Sequence, residues 1–217
     1  LHLSLRRQRQ MCIRDRISTH QLRSFSLDKH KRVDDKQYGG DPGMVLMAEP
    51  LMKSIDHISE LRGSKPLTIL MSPQGKKLDP KLLSEILDRD FIAVICGRYE
   101  GFDERALELH KIPELSLGDF ILSGGEIAAQ LLIDSVVRLI PHVIGNHKSL
   151  EEESFTNYLL EYPQYTKPIS WKNLSIPNEL LSGHHQNIKK WRLKKSEELT
   201  KQRRPDLWKK YKSKGNK

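Results

Sequence analysis

Long apolar runs are missing from this 217-residue chain: none approaches the roughly 20 residues that a membrane helix needs. A secretory apolar segment near the start is missing too. Cysteine is scarce, with only Cys12 and Cys96, far apart. That argues against a disulfide scaffold and for a reducing compartment, so a cytoplasmic, membrane-free protein is expected. Cys96 is best read as a small buried hydrophobe. No CxxC pair occurs, and His184 and His185 are adjacent without a partner one helical turn on, so a zinc centre has no support and no metal site is expected. GxGxxG, GxxxxGK[ST] and GxSxG are also absent, which leaves no dinucleotide fingerprint, phosphate loop or nucleophile elbow.

What is present is charge, unevenly placed. The net +9 divides into +10 over residues 184–217, +6 over residues 1–40 and −7 between them. A basic end on a mildly acidic body suits a polyanion, most simply nucleic acid, although a merely solvated tail has the same composition.

The apolar pattern predicts an α/β fold. Met44, Met47, Leu51, Ile55 and Ile58 recur at helical spacing after the turn-rich YGGDPG (38–43), which predicts a loop feeding an amphipathic helix. PLTILM (66–71) reads as a strand, SPQG (72–75) as a loop, and Asp79-Pro80 as the cap and first position of a helix. FIAVIC (91–96) is the next strand, and SLGDFIL (116–122) a strand end. The segment EIAAQLLIDSVVRLI (126–140) is a largely buried helix closed by Pro141. Strands with continuous apolar runs alternating with helices imply a parallel sheet covered on both faces. Residues 142–155 have no period and read as a flexible connection, and the chain beyond is helical in its later part. Residues 1–16 show no periodicity and are read as a non-matching stretch, an artefact rather than a targeting segment.

Three glycine-bearing loops, SPQG, GRYEG (97–101) and LGDFILSGGE (117–126), follow apolar runs. Ligands of open parallel sheets bind at the carboxyl ends of strands, and glycine lets a ligand approach the backbone. Each loop taken alone is equally an ordinary turn. Arg98 and Glu100 either read a polar substrate or form an ion pair that fixes the turn. Arg138 either snorkels to solvent or faces a site at its helix C-terminus.

Six segments then occur in a fixed order: VDDKQYGGDPGM (33–44), SPQGKKLD (72–79), CGRYEGFDER (96–105), SLGDFILSGGE (116–126), ESFTNYLLEYPQYTKP (153–168) and LLSGHHQNIKKWR (180–192). Together they resemble the TrmD family of bacterial tRNA (guanine-N1)-methyltransferases, from about Ile17 to Leu207. The resemblance implies a SPOUT-class α/β domain over 17–141, its parallel sheet carrying a C-terminal trefoil knot. A linker over 142–155 and a small helical tRNA-binding domain over 156–217 would follow. It implies a homodimer whose active sites are shared between subunits, S-adenosyl-L-methionine as cofactor, and tRNA as partner, methylated on N1 of the guanosine just 3′ of the anticodon. It leaves room for Mg2+.

By the same resemblance the three loops are knot loops that hold the cofactor through Ser72, Pro73, Gly97, Tyr99, Glu100, Gly101, Leu117, Gly118, Asp119, Phe120, Ile121, Leu122, Gly124 and Gly125. Asp34, Arg98 and Ser154 are expected at the substrate. The catalytic pair would be Glu153, standing where the family usually has aspartate, and Arg138. Phe120 replaces a frequent tyrosine, while Asp41 and His142 replace usual glycines. Relatives begin with a strand and helix that residues 1–16 do not resemble, so a first strand and helix missing or replaced is expected. Two rival readings are a non-catalytic RNA-binding remnant of the same fold and an adenosine-nucleotide enzyme of another kind.

Overall fold

A computed structural model describes residues 16–141, 143 and 153–215. Residues 1–15 of the non-matching stretch, and residues 142 and 144–152 of the expected linker, lie outside the described residues. The chain forms two compact units that divide between residues 144 and 145.

In the first unit β1 (Asp34–Lys36) pairs antiparallel with β2 (Met44–Leu46). Helix α1 (Ala48–Arg62) follows and stops where Gly63 turns left-handed at φ 69° and donates to the Glu60 carbonyl. Next come β3 (Leu67–Lys77), α2 (Pro80–Leu87), β4 (Ile92–Cys96), α3 (Glu104–His110), β5 (Glu114–Ser116) and α4 (Gly125–Val137). The start of α2 follows its sequence signal: Asp79 accepts from the Leu82 N–H at 2.8 Å and Pro80 occupies the first turn.

The central sheet is parallel in the order β4–β3–β5, and alternation along β3 sorts its side chains between two cores. Leu70 joins Ile95 under α1 and α3, which contribute Leu51, Ile55, Ala106 and Leu107. Ile69 and Met71 face α2 and α4, with Ile86, Ala128 and Leu132. Burial on both faces explains why the β3 and β4 runs are continuously apolar.

Four local expectations change. The helix expected over 126–140 ends at Val137, and it is not largely buried, since Ile127 and Leu131 are exposed. The helix expected from Met44 begins at Ala48, because the backbone of Met44–Leu46 is taken by sheet pairing: besides β1, Leu46 N–H donates to Gly101 O at 2.8 Å and Asp103 N–H to Leu46 O at 2.9 Å. SPQG is not a loop after the strand but an excursion within β3, since Met71 and Lys76 both stand opposite Leu115. SLGDFIL contributes only Ser116 to a strand; pairing ends there, and the chain turns at Gly118, where φ is 153°.

The second unit holds a short 3-10 turn (Thr156–Tyr158), a hairpin of β6 (Ser170–Trp171) and β7 (Leu174–Ser175), and helices α5 (Asn178–Leu181), α6 (His185–Arg203) and α7 (Pro205–Gly215). The break between α6 and α7 falls at Arg204-Pro205, where proline's missing N–H suits a helix start. Helix α6 is basic and buries little besides Trp191, Ser196 and Thr200. Thr200 is wholly buried; its hydroxyl accepts from Leu160 N–H at 2.8 Å and donates to Ser196 O at 2.6 Å. Thr200→Val keeps the shape but strands that N–H, so urea unfolding should show a loss of about 1–3 kcal/mol, whereas Thr200→Ser should retain most of the stability.

Several surface carboxyls are held below their ordinary range by cations: Asp28 by Arg32, Asp103 by Arg105, Glu198 by Lys195, and Asp206 by Arg204, the last lowered from 3.8 to about 2. A carboxyl depressed in the folded state stabilises it above the unfolded pKa, and this contribution disappears as pH falls through the folded value. The melting temperature should therefore drop between about pH 4 and pH 2, and Asp206→Asn should make that drop shallower.

Candidate active site

The β3 excursion begins at the level of Cys96, the last residue of β4, and parallel strands end on one side of their sheet, so it and the loops after β4 and β5 come together. Ser72 and Pro73 lie in the β3 excursion, where Ser72 Oγ accepts from Gln74 N–H at 3.2 Å. Gly97, Tyr99, Glu100 and Gly101 follow β4, and Leu117 to Leu122 follow β5. Gly124 and Gly125 open α4. The second and third loops are tied by Gly125 N–H donating to Gly97 O at 2.8 Å. This closeness requires glycine, since a Cβ on Gly125 would lie 2.8 Å from Cys96 Cα and 2.8 Å from Gly97 N.

Tyr99 adopts φ 60°, uncommon for a non-glycine residue, and its side chain is exposed. Phe120 and Ile121 are also exposed, whereas Leu122 turns back onto the core under α2 and α4. Phe120 packs over Gly118, and Ser116 Oγ bonds both Gly118 N and Gly118 O at 3.2 Å. Asp119 is open to solvent, 3.9 Å from Lys77 Nζ. Tyr99, Phe120 and Ile121 thus leave apolar surface exposed on the loops that follow β4 and β5.

Arg98 makes an ion pair with the start of α4. Its Nε and Nη2 each lie 2.8 Å from Glu126 Oε1, so its charge pins the GRYEG loop to the first turn of α4. The backbone N–H of Glu126 and then Arg98 keep the Glu126 carboxyl below its ordinary range. Glu100 takes another direction: it lies against Gly43, and its N–H donates to Met44 O at 3.0 Å. Through β2, the same hairpin carries Asp34 opposite Leu46, whose N–H bonds Gly101 O. The expected substrate and cofactor segments are thus hydrogen-bonded neighbours. Burial pushes the Cys96 thiol upward, with the Glu126 charge adding to it, in keeping with a packed, protonated side chain. Glu126→Gln should weaken cofactor binding severalfold and raise KM more than it lowers kcat, because it loosens the loop without touching a reacting atom; equilibrium dialysis and initial rates read both.

Arg138 belongs to the first unit and caps α4, its N–H donating to Asp134 O at 3.2 Å. Glu153 and Ser154 belong to the second. Glu153 lines a cleft of about 230 Å³ with Lys189, Arg192 and Ser196, and its carbonyl accepts from Thr156 N–H. Ser154 Oγ accepts from Glu161 N–H at 2.9 Å, and Phe155 N–H donates to Leu159 O at 2.7 Å. The loop carrying Glu153 is therefore stitched to itself and, through Leu160, to Thr200. Among the described residues no group of three His, Cys, Asp or Glu side chains could hold a metal ion, and no helix is long and apolar enough to cross a membrane.

Sequence reasoning overlooked Glu126 and Thr200. Glu126 stands inside the SGGE motif, but its partner is 28 residues away, and Thr200 bonds a backbone N–H 40 residues away. No local spacing carries either signal.

Comparison with known proteins bears on the same segments. The model of the family described as tRNA (Guanine-1)-methyltransferase TrmD matches residues 4–210, a span that takes in most of the first 16 residues as well as the six motifs. A protein of Ruegeria sp. (strain TM1040) named tRNA (guanine-N(1)-)-methyltransferase is 50% identical over 202 residues, 93% of this chain and 82% of the relative. Those of the same name from Pelagibacter ubique (strain HTCC1062) and Clostridium botulinum (strain Hall) are 54% identical over 191 residues and 47% over 197. These span 88% and 91% of this chain, and 82% and 81% of the relatives. An α/β unit with three loops gathered at the ends of its parallel strands, and matches of this length and identity, place the chain in the tRNA (guanine-1)-methyltransferase TrmD family.

Proposed function

We propose that the chain is an S-adenosylmethionine-dependent tRNA (guanine-N1)-methyltransferase acting on the guanosine immediately 3′ of the anticodon. The observation that carries this reading is the match of residues 4–210 to the TrmD family, and the Gly125–Gly97 contact, which ties two of the three loops together, supports it. When bound there, the cofactor supplies an electrophilic methyl on its sulfonium sulfur. Ser72, Pro73, Gly97, Tyr99, Gly101, Leu117 and Gly118 hold it mainly through backbone groups, with Phe120 and Ile121 against its apolar parts. Glu100, Asp119, Leu122 and Gly124 shape the rim.

Guanine N1 carries a proton and is a poor nucleophile. The Glu153 carboxylate would accept that proton as N1 takes the methyl, whose bond to the sulfonium sulfur breaks with its electron pair left on sulfur. Arg138 offsets the negative charge that grows on O6. Asp34 and Arg98 flank the target base, and Ser154 holds the loop on which Glu153 rides.

The reading includes a trefoil knot through the three loops, a linker over 142–155, a helical tRNA-binding domain over 156–217, and a cytoplasmic homodimer with shared sites. The exposure of Tyr99, Phe120 and Ile121 in the single chain supports completion of each site by a second subunit. The 14 Lys and Arg against 6 Asp and Glu over residues 153–215 support tRNA binding there.

The test is transfer of labelled methyl to two tRNA transcripts that differ only at the nucleotide 3′ of the anticodon. Label should enter the guanosine form alone, and titrating Mg2+ against a chelator in the same assay reads any metal dependence. Binding of both transcripts without transfer to either would favour the non-catalytic remnant.

A further inference from the structure

The four strand residues of hairpin β6–β7 are all exposed. Lys172 and Asn173 make the turn at φ 47° and 64°, Trp171 stands opposite Leu174, and Ile176 N–H donates to Ile169 O at 3.0 Å. Alternation puts Ile169, Trp171 and Leu174 on one face and Ser170 and Ser175 on the other. The apolar face is the surprising one, because Ile169 is 59%, Trp171 60% and Leu174 70% exposed. A two-stranded hairpin is only marginally stable in water by itself, and an exposed apolar face of this kind is a candidate contact surface.

The occupant is indicated by charge. Lys172 Nζ lies 4.8 Å from the centre of the Trp171 ring, so a cation and a flat apolar surface are presented together. The surrounding unit holds 14 Lys and Arg against 6 Asp and Glu over residues 153–215. It repeats the pairing where Lys212 lies 4.7 Å from the Trp208 ring centre. A basic surface with an exposed ring accommodates an anion that also carries a planar apolar group, which is the chemistry of an unpaired nucleotide: the base stacks on the indole and the phosphate meets the ammonium. Duplex RNA offers phosphates but no free base face.

We propose that the tip of the β6–β7 hairpin is a tRNA contact in which Trp171 stacks on an unpaired base and Lys172 binds the adjoining phosphate. The inference rests on the tRNA reading above and names a surface for it. The experiment titrates the full chain with tRNA, following tryptophan fluorescence and affinity, for the wild type, Trp171→Ala, Trp171→Phe and Lys172→Ala. Trp171 is exposed, while Trp191 is buried and Trp208 half-buried, so stacking should quench chiefly Trp171.

Trp171→Ala should lose most of the quench and weaken tRNA binding by about 5- to 150-fold, with Trp171→Phe recovering a large part. Lys172→Ala should lower the slope of log affinity against log salt by about one. Affinity for S-adenosylhomocysteine should stay the same in all three. Unchanged tRNA affinity of Trp171→Ala overturns the proposal, as does a shift in its oligomeric state with tRNA binding intact, which would assign the face to a second copy. A wild-type chain that does not bind tRNA would instead defeat the tRNA reading itself.

Discussion

Glu153→Gln is expected to lower kcat for methyl transfer by about 10²- to 10⁴-fold while leaving tRNA and cofactor affinities within a few-fold of the wild type. Glutamine keeps the length and shape of the side chain and loses only its capacity to take the N1 proton. The loop has hydrogen bonds that this substitution does not touch: Ser154 Oγ accepts from Glu161 N–H, Phe155 N–H donates to Leu159 O, and Thr200 Oγ1 accepts from Leu160 N–H. Glu153→Asp, which keeps a carboxylate on the loop, should transfer methyl far better than the glutamine variant. Single-turnover rates with saturating tRNA and cofactor separate the chemical step from binding.

The second large effect is expected from a residue that performs no chemistry. Gly125→Val places a Cβ where Cys96 Cα and Gly97 N already stand, 2.8 Å away. Backbone cannot yield as a flexible side chain does, so the end of β4 and the start of α4 must part, breaking the Gly125–Gly97 hydrogen bond. The fold should lose about 1–3 kcal/mol, and cofactor affinity should fall about tenfold or more, equivalent to ~1.4 kcal/mol. Calorimetric titration with S-adenosylhomocysteine at a temperature where the variant remains folded measures the second effect apart from the first. Unchanged cofactor affinity would mean that the cofactor does not sit between these loops.

These two residues became visible in different ways. Gly125 was legible from local pattern, as one of several glycines directly after an apolar run where a parallel sheet opens to ligands. Glu153 was not; three successive glutamates in an aperiodic stretch carry no chemical signal, and only the resemblance of ESFTNY to a family motif singled it out. Strands β3 and β4 were readable because burial on both faces demands unbroken apolar runs, and α2 because Asp79-Pro80 marks its start. Strand β2 was hidden because its three residues pair with β1 and with a loop some 55 residues on, while Met44 and Met47 happened to continue the helical spacing of α1. The β6–β7 hairpin was hidden because two-residue strands are too short to show a period. The Arg98–Glu126 pair shows the same limit from the other side: both residues lay in quoted motifs, but their contact exists only once β4 and α4 are folded together.

Glu126 and Thr200 add a further layer to the account. Each holds a segment to which the proposed mechanism gives a role: Glu126 pins the GRYEG loop through Arg98, and Thr200 holds the chain that follows the Glu153 loop at Leu160. Loss of either should therefore show as weakened binding or lowered stability rather than abolished chemistry.

The central claim is methylation of one ring nitrogen at one nucleotide. Its most direct test is nuclease digestion and mass spectrometry of tRNA after reaction with the chain and S-adenosylmethionine. The account predicts 1-methylguanosine at the position 3′ of the anticodon, formed by the wild type and nearly absent with Glu153→Gln. Methyl found on another nucleotide or another atom of guanine, or equal 1-methylguanosine from both proteins, would contradict it.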